Sequence, residues 1–370
     1  MIIIHYNPHD GIITNDYIDT LNRAMGEEVM CLTATSVPSL KELLTNHHPD
    51  IIDIHGCWHD SLPMVMALAK KNAIRIVLTP HGQLEPWIIG KRRLTSKLLR
   101  KLLYQKQLTK RAYAVIVMGK MEHDNMKRLG WNRRIETIPC SLFTSSITDG
   151  KMASDTLAVF KKVMDSNVRE LMDATTVKAL QLLYKASITL DKSWIDEEEG
   201  NLLSALTMQQ WRQIQIYAYH TSTLNVIKSG ADVMSLQIPD CHPETIQCYL
   251  PSQMEKNEPM GIPAIATDAN GQHSCEDVIN MIKTLHKKAF RSKLEIADIV
   301  QVSNTLFHLK TDEEEVRYLL KDAKLSKFAS RIMTLTKEFT GLPDGFLLLQ
   351  AVNDHWTKQL SYRIIKQLKI

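Results

Sequence analysis

"DIIDIHGCWHDSLPMVMALAKKNAIRIVLTPHG", Asp50–Gly82, holds one strand–helix–strand unit. Ile51–His55 and Ile74–Thr79 are short runs rich in β-branched residues, and Leu62–Lys71 between them carries apolar residues at helical spacing. A helix between two strands returns the chain to the end where the first strand began, so the strands run parallel. The same alternation continues on both sides. Met1–Tyr6, Glu28–Leu32, Tyr113–Met118 and Arg134–Ile138 read as further strands. Asp16–Met25, Leu40–Asn46, Lys91–Arg111 and Glu122–Leu129 read as helices, with Gly26 and Gly130 at their ends. Several of the strands are continuously apolar, as strands covered on both faces must be. Residues 1–145 are therefore expected to form an α/β, Rossmann-like doubly wound parallel sheet.

After Ser145 the alternation stops and helical patterns take over, at Leu157–Ala186, Asp196–Lys228 and from Cys275 onward, broken once by Gly341-Leu-Pro-Asp-Gly345. Residues 146–370 read as a mostly α-helical half, and the Pro-rich stretch from 238 to 271 marks a candidate internal boundary.

The chain has 370 residues, 44% of them apolar and 23% charged, which is ordinary for a folded protein. No apolar run approaches the roughly 20 residues of a spanning helix, and Met1–Tyr6 reads as a strand, not a signal peptide, so a cytoplasmic location is expected. The six cysteines include no C-x-x-C pair and fit reduced thiols. Cys241, His242, Cys248, His273 and Cys275 match no tight zinc knuckle, and no metal is expected from their spacing. A net charge of +4 is too small to imply nucleic acid as a partner.

Function is sought where the strands end, because open α/β sheets bind ligands beyond their carboxyl edge, where the strand order reverses. In the common 3-2-1-4-5-6 order that crevice lies between the first and fourth strands. Here strand one ends in His5-Tyr-Asn7 and runs on to Gly11, strand three ends in His55-Gly-Cys-Trp58-His59, and strand four ends in Thr79-Pro-His81-Gly82. Three histidines converge on one expected edge, and imidazole can donate, accept and carry a proton near neutral pH. The first loop offers only Gly11 where a dinucleotide fingerprint needs three glycines, so neither NAD nor FAD is expected as cofactor.

Four blocks carry a family resemblance: "DIIDIHGCW" (Asp50–Trp58), "TPHGQLEPW" (Thr79–Trp87), "LLYQKQLTKRAYAVIV" (Leu102–Val117) and "MKRLGWNRRIETIP" (Met126–Pro139). Over about residues 1–145 the chain resembles the amino-terminal, acceptor-side domain of retaining family-4 glycosyltransferases of the two-Rossmann GT-B type. The resemblance implies sugar transfer from a nucleoside-diphosphate sugar to a glycan or lipid-linked acceptor, in polysaccharide or glycolipid biosynthesis. It places His81 as the catalytic histidine beside the transferred sugar. It also implies that Gly11 is the remnant of the first glycine loop, that His55 and Trp58 belong to the histidine–tryptophan block on the substrate side, and that Glu85 and Trp87 form the wall beside His81.

The resemblance stops at the donor side. The joining turn is replaced by Cys140-Ser-Leu-Phe143, and neither the phosphate-binding basic pair nor the E-x7-E carboxylates of a second Rossmann domain can be placed at strand ends after residue 145. The alternative expectation is a non-catalytic glycan-binding or partner protein that has lost the donor-binding domain. Finally, Pro86 to Met121 contains no acidic residue but many basic ones. Arg93, Lys97 and Arg100 share a face away from the leucine stripe, which suits either a solvated helix face or attachment to an anionic inner membrane surface.

Overall fold

The computed structural model describes residues 1–370 apart from 10, 92–95, 241–246, 250–273, 367 and 369–370, and apart from the side chains of 28 and 89–101. The chain divides into two compact units, Met1–Ser166 with Gln247–Tyr249, and a second unit that begins at Asn167.

The first unit is a six-stranded parallel sheet. Its strands are β1 (Ile2–Tyr6), β2 (Met30–Ala34), β3 (Ile51–His55), β4 (Arg75–Thr79), β5 (Ala114–Val117) and β6 (Ile135–Thr137). The helices between them are α1 (Ile12–Met25), α2 (Val37–Asn46), α3 (Leu62–Lys71), α4 (Pro86–Lys91), α5 (Ser96–Arg111) and α6 (Lys120–Leu129), and α7 (Asp149–Met164) follows β6. The expected Rossmann-like class is what the structure has. The expected helix Lys91–Arg111 is divided between α4 and α5, with residues between them outside the described set.

The strand order is β2-β1-β3-β4-β5-β6, which differs from the common 3-2-1-4-5-6 order and moves the crevice away from the first and fourth strands. Only β2 lies outside β1, because the chain crosses back after β2 and pairs β3 directly with β1, Ile3 opposite Ile51 and His5 opposite Asp53. The order therefore reverses between β1 and β3, and the crevice belongs to that pair.

The two faces of the sheet differ. Ile4, Tyr6, Ile52, Ile54, Leu78, Val115 and Val117 join Leu40, Leu62, Val65 and Leu108 in one apolar core. Successive strand residues point to opposite faces, so His5, Asp53, His55 and Thr79 share the other face, where α1 and α7 pack against each other.

Among its described residues the second unit forms helices joined by turns and irregular segments, and no strand. It comprises α8 (Val168–Leu171), α9 (Ala174–Thr189), α10 (Glu197–Ser204), α11 (Met208–His220), α12 (Leu224–Val233), α13 (Cys275–Phe290), α14 (Ile296–Phe307), α15 (Glu313–Asp322), α16 (Ser326–Thr340) and α17 (His355–Ile365). The two long helices expected over Leu157–Ala186 and Asp196–Lys228 are each broken. Asn167 adopts a left-handed backbone and Asp173 caps α9 through the Thr176 amide, while Thr207 and Gln210 form a reciprocal capping box that starts α11 afresh. One apolar cluster, including Leu183, Trp211, Ile227, Ile282, Val302 and Ile332, forms this unit's core. At α12, Gly230 approaches α9 so closely that a Cβ there would stand 2.0 Å from the Leu183 carbonyl oxygen.

Candidate functional site

His5 ends β1, His55 ends β3, and His81 follows β4 by two residues. Parallel register and shared side-chain direction bring the three imidazoles into one row. His5 Nδ1 lies 3.0 Å from His55 Nε2, and His55 Nδ1 lies 3.0 Å from His81 Nε2. Asp53, facing His5 across the β1–β3 pair, places Oδ2 at 3.5 Å from His5 Nδ1 and 3.3 Å from His55 Nε2. Thr79 donates its hydroxyl to Asp53 Oδ1 at 3.0 Å. Tyr17 of α1 meets the rings of His55 and His81 edge-on. His5, Asp53, His55 and Thr79 are fully buried, and His81, half-buried, is the end of the row that reaches the surface.

The environment sets the protons. Burial opposes charge on His5, but the nearby Asp53 carboxylate, with Cys31, overcomes it and holds the imidazole up at about 9. Burial also opposes charge on Asp53, and the neighbouring His55 and His5 hold it down at about 2. Burial pushes His55 down to about 3, and its neighbours His5 and His81 add to that against the pull of Asp53. Burial likewise lowers His81 to about 4. Near neutral pH the row holds one ion pair, Asp53 with His5, and two neutral imidazoles. A doubly protonated His5 donates from Nδ1 towards His55 Nε2, His55 then donates from Nδ1 to His81 Nε2, and His81 keeps its own proton on Nδ1.

The turns that carry these residues are unusual. His81 has φ 51° and Trp58 has φ 70°, left-handed values that cost a non-glycine residue about 1–3 kcal/mol each. Surrounding contacts hold both. The Gly82 amide donates to Glu122 Oε1 at 2.8 Å and the Met118 amide to Oε2 at 3.0 Å, while burial pushes the Glu122 carboxyl above its usual range. The Trp58 indole donates to the Gln83 carbonyl at 2.8 Å, and Gln83 Oε1 accepts from the Cys57 amide at 2.8 Å. Gly56, at φ 81°, has no room for a Cβ, which would stand 2.7 Å from His9 Cδ2.

The expected site residues fall into separate groups. Gly11 stands in extended conformation at the head of α1. His55, Trp58 and Glu85 are buried, with Glu85 accepting from the Asn125 side chain, so they shape the site from beneath its surface. Trp87 is 52% exposed. Arg93 and the side chains of Lys97 and Arg100 lie outside the described residues, as do Cys241, His242 and His273. Sequence reading missed Asp53, Thr79, Tyr17 and Glu122. A carboxylate within the otherwise apolar strand "IIDIH" was the one available signal, since a buried charge requires a partner.

No curated protein and no solved structure matches the chain. Residues 20–145, which supply His55, His81 and every strand after β1 but not His5, match the family model of Glycosyltransferase Family 4, so this region, with two of the row's three histidines, is glycosyltransferase-like.

Proposed function

We propose that the protein acts in sugar transfer, with its first unit serving as the acceptor-side half of a GT-B-type site and His81 contacting the reacting sugar. The observation that supports this reading is the left-handed His81 at the carboxyl edge of β4, backed by His55 at 3.0 Å. A strained backbone that holds a neutral imidazole at a sheet edge fits recognition of a hydroxyl-rich ligand. His81 Nδ1–H would donate to a sugar oxygen, and the exposed Trp87 offers an aromatic face on which a sugar can stack. Donor and acceptor would be a nucleoside-diphosphate sugar and a glycan or lipid-linked acceptor. Domain limits of 1–145 and 146–370, with a boundary near 238–271, belong to the same reading. A basic run free of acids from Pro86 to Met121 supports peripheral attachment to an anionic inner membrane face.

The second reading is a glycan-binding or partner protein without a donor site. It is favoured by the second unit, whose described residues form helices and no strand, whereas phosphate and ribose recognition of the family kind uses strand ends. Calorimetric titration with uridine-, guanosine- and adenosine-diphosphate sugars, together with a transfer assay, separates the two. Micromolar donor binding, about 8 kcal/mol, with transfer lost in His81→Ala supports the enzyme. Silence across the donors with retained glycan binding supports the partner. Salt-sensitive sedimentation with anionic vesicles, weakened in an Arg93, Lys97 and Arg100 to Gln variant, tests the membrane arm.

A further inference from the structure

The buried end of the histidine row contains an arrangement that sugar transfer does not use. His5 Nδ1, His55 Nε2 and Asp53 Oδ2 form a triangle with edges of 3.0, 3.3 and 3.5 Å. Ligand atoms around a tetrahedral ion at about 2.0–2.1 Å stand roughly 3.3 Å from one another. No well-formed hydrogen bond reaches the buried Asp53 Oδ2, although His5 pairs with the carboxylate and two imidazole nitrogens stand 3.3 and 3.5 Å from that oxygen. The far atoms of two of the three residues are already held. Thr79 donates to Asp53 Oδ1 and His81 Nε2 meets His55 Nδ1, each at 3.0 Å, as outer partners orient metal-bound carboxylates and imidazoles. The backbone fixes the set, since Asp53 and His55 lie two apart on β3 and His5 stands opposite Asp53 on β1.

We infer that His5, Asp53 and His55 form a buried site for a divalent transition-metal ion of the zinc class, bound through Nδ1, Oδ2 and Nε2 respectively, the ion displacing to solvent the proton that His5 Nδ1 carries in the metal-free row. Two imidazoles and one carboxylate suit zinc or cobalt better than magnesium or calcium, which prefer all-oxygen sets. Three protein ligands leave the fourth position to a small ligand such as water. All three residues are fully buried, so the ion lies beneath the surface that a substrate would meet. It fastens β1 to β3 where the strand order reverses. With Nε2 on the metal, His55 carries its proton on Nδ1 and donates it to His81, which makes His55 a positioning residue for the half-buried His81.

The test uses the full chain, expressed without a histidine tag in zinc-supplemented medium, purified without chelator and dialysed. Elemental analysis should find about one zinc per chain. Cobalt supplied in place of zinc should give the visible spectrum of a low-coordinate nitrogen–oxygen site. His5→Gln and Asp53→Asn should each lower metal affinity at least tenfold. Thr79→Val, whose fold is checked by circular dichroism, should lower it about 10- to 100-fold, and Thr79→Ser should restore it. Wild-type protein without stoichiometric metal overturns the inference. So does His5→Gln binding metal as wild type does, since that would place the ion on other histidines or cysteines. Where His5→Gln does not fold, the Thr79 pair decides, and equal affinity in Thr79→Val and Thr79→Ser counts against the site. These readouts do not depend on sugar transfer, so the inference can fail while the transferase reading stands, and the reverse.

Discussion

The Gly82 amide donates to Glu122 Oε1 at 2.8 Å, and through that bond a residue at the start of α6 holds the turn that presents His81. The same carboxylate takes the Met118 amide, so it ties the exits of β4 and β5 together. Glu122→Ala leaves two amides without their acceptor and should cost about 2–4 kcal/mol, whereas Glu122→Gln keeps one acceptor and should cost less. Urea denaturation measures both. Equal losses would mean that packing, not the carboxylate, holds the turn.

His81 itself separates strain from function. Alanine retains the left-handed penalty at φ 51° and loses the contact with His55, whereas glycine loses the contact but removes the penalty. His81→Gly should therefore be more stable than His81→Ala by about 1 kcal/mol, although both remove the imidazole. Matched thermal and urea unfolding of the two variants gives the difference. An alanine variant as stable as the glycine one would refute a strained turn.

Gly230→Ala should be strongly destabilising. The added methyl would meet the Leu183 carbonyl oxygen at 2.0 Å, so α12 must move away from α9, an overpacking cost of about 2–3 kcal/mol or more. Gly200→Ala in α10 is the control. Its Cβ would meet nothing nearer than Met234 Cε at 3.9 Å, and improved helix propensity should stabilise by about 0.5–1 kcal/mol. A circular-dichroism melt on each variant distinguishes them.

Asp354 gives the second unit an acid-sensitive contact. The Arg331 guanidinium, meeting the carboxylate at 2.7 Å, and the Thr357 amide hold its carboxyl well below the usual range. A carboxyl lowered on folding stabilises fully above its unfolded value of about 3.9, and the contribution fades as pH falls through the folded value. Asp354→Asn should be less stable than wild type at pH 7, and the gap should shrink in acid. A gap unchanged between pH 7 and the lowest pH at which both remain folded would contradict the sign.

The sheet was legible because each of its strands is a short β-branched or apolar run closed by a helix. Ile51–His55 and Leu62–Lys71 fall where the spacing puts them. Strand order was not legible. Nothing in the local pattern says that β3 passes β1 on its far side, since the register of Ile3 with Ile51 depends on which strand edge is left open after β2 has paired. At the site, His55 and His81 stood out at strand ends, but the role of Asp53 depends on His5 and Thr79, which are distant in sequence. The helical half was read too coarsely. Thr207 followed three residues later by Gln210 is a capping box written in the chain, yet apolar spacing continued through it and obscured the break.

Tyr249 returns to the first unit from far along the chain. Its amide donates to Ser166 Oγ at 2.8 Å, its hydroxyl to Glu136 at 2.7 Å, and Lys162 lies 4.4 Å from its ring centre. The sheet and α7 can assemble once Ser166 has left the ribosome, but this clasp waits for about 80 more residues, roughly 4–16 s of translation. For that interval the nascent first unit holds Glu136, Lys162 and Ser166 without their Tyr249 contacts, and the helical residues 167–233 are synthesised before the clasp closes.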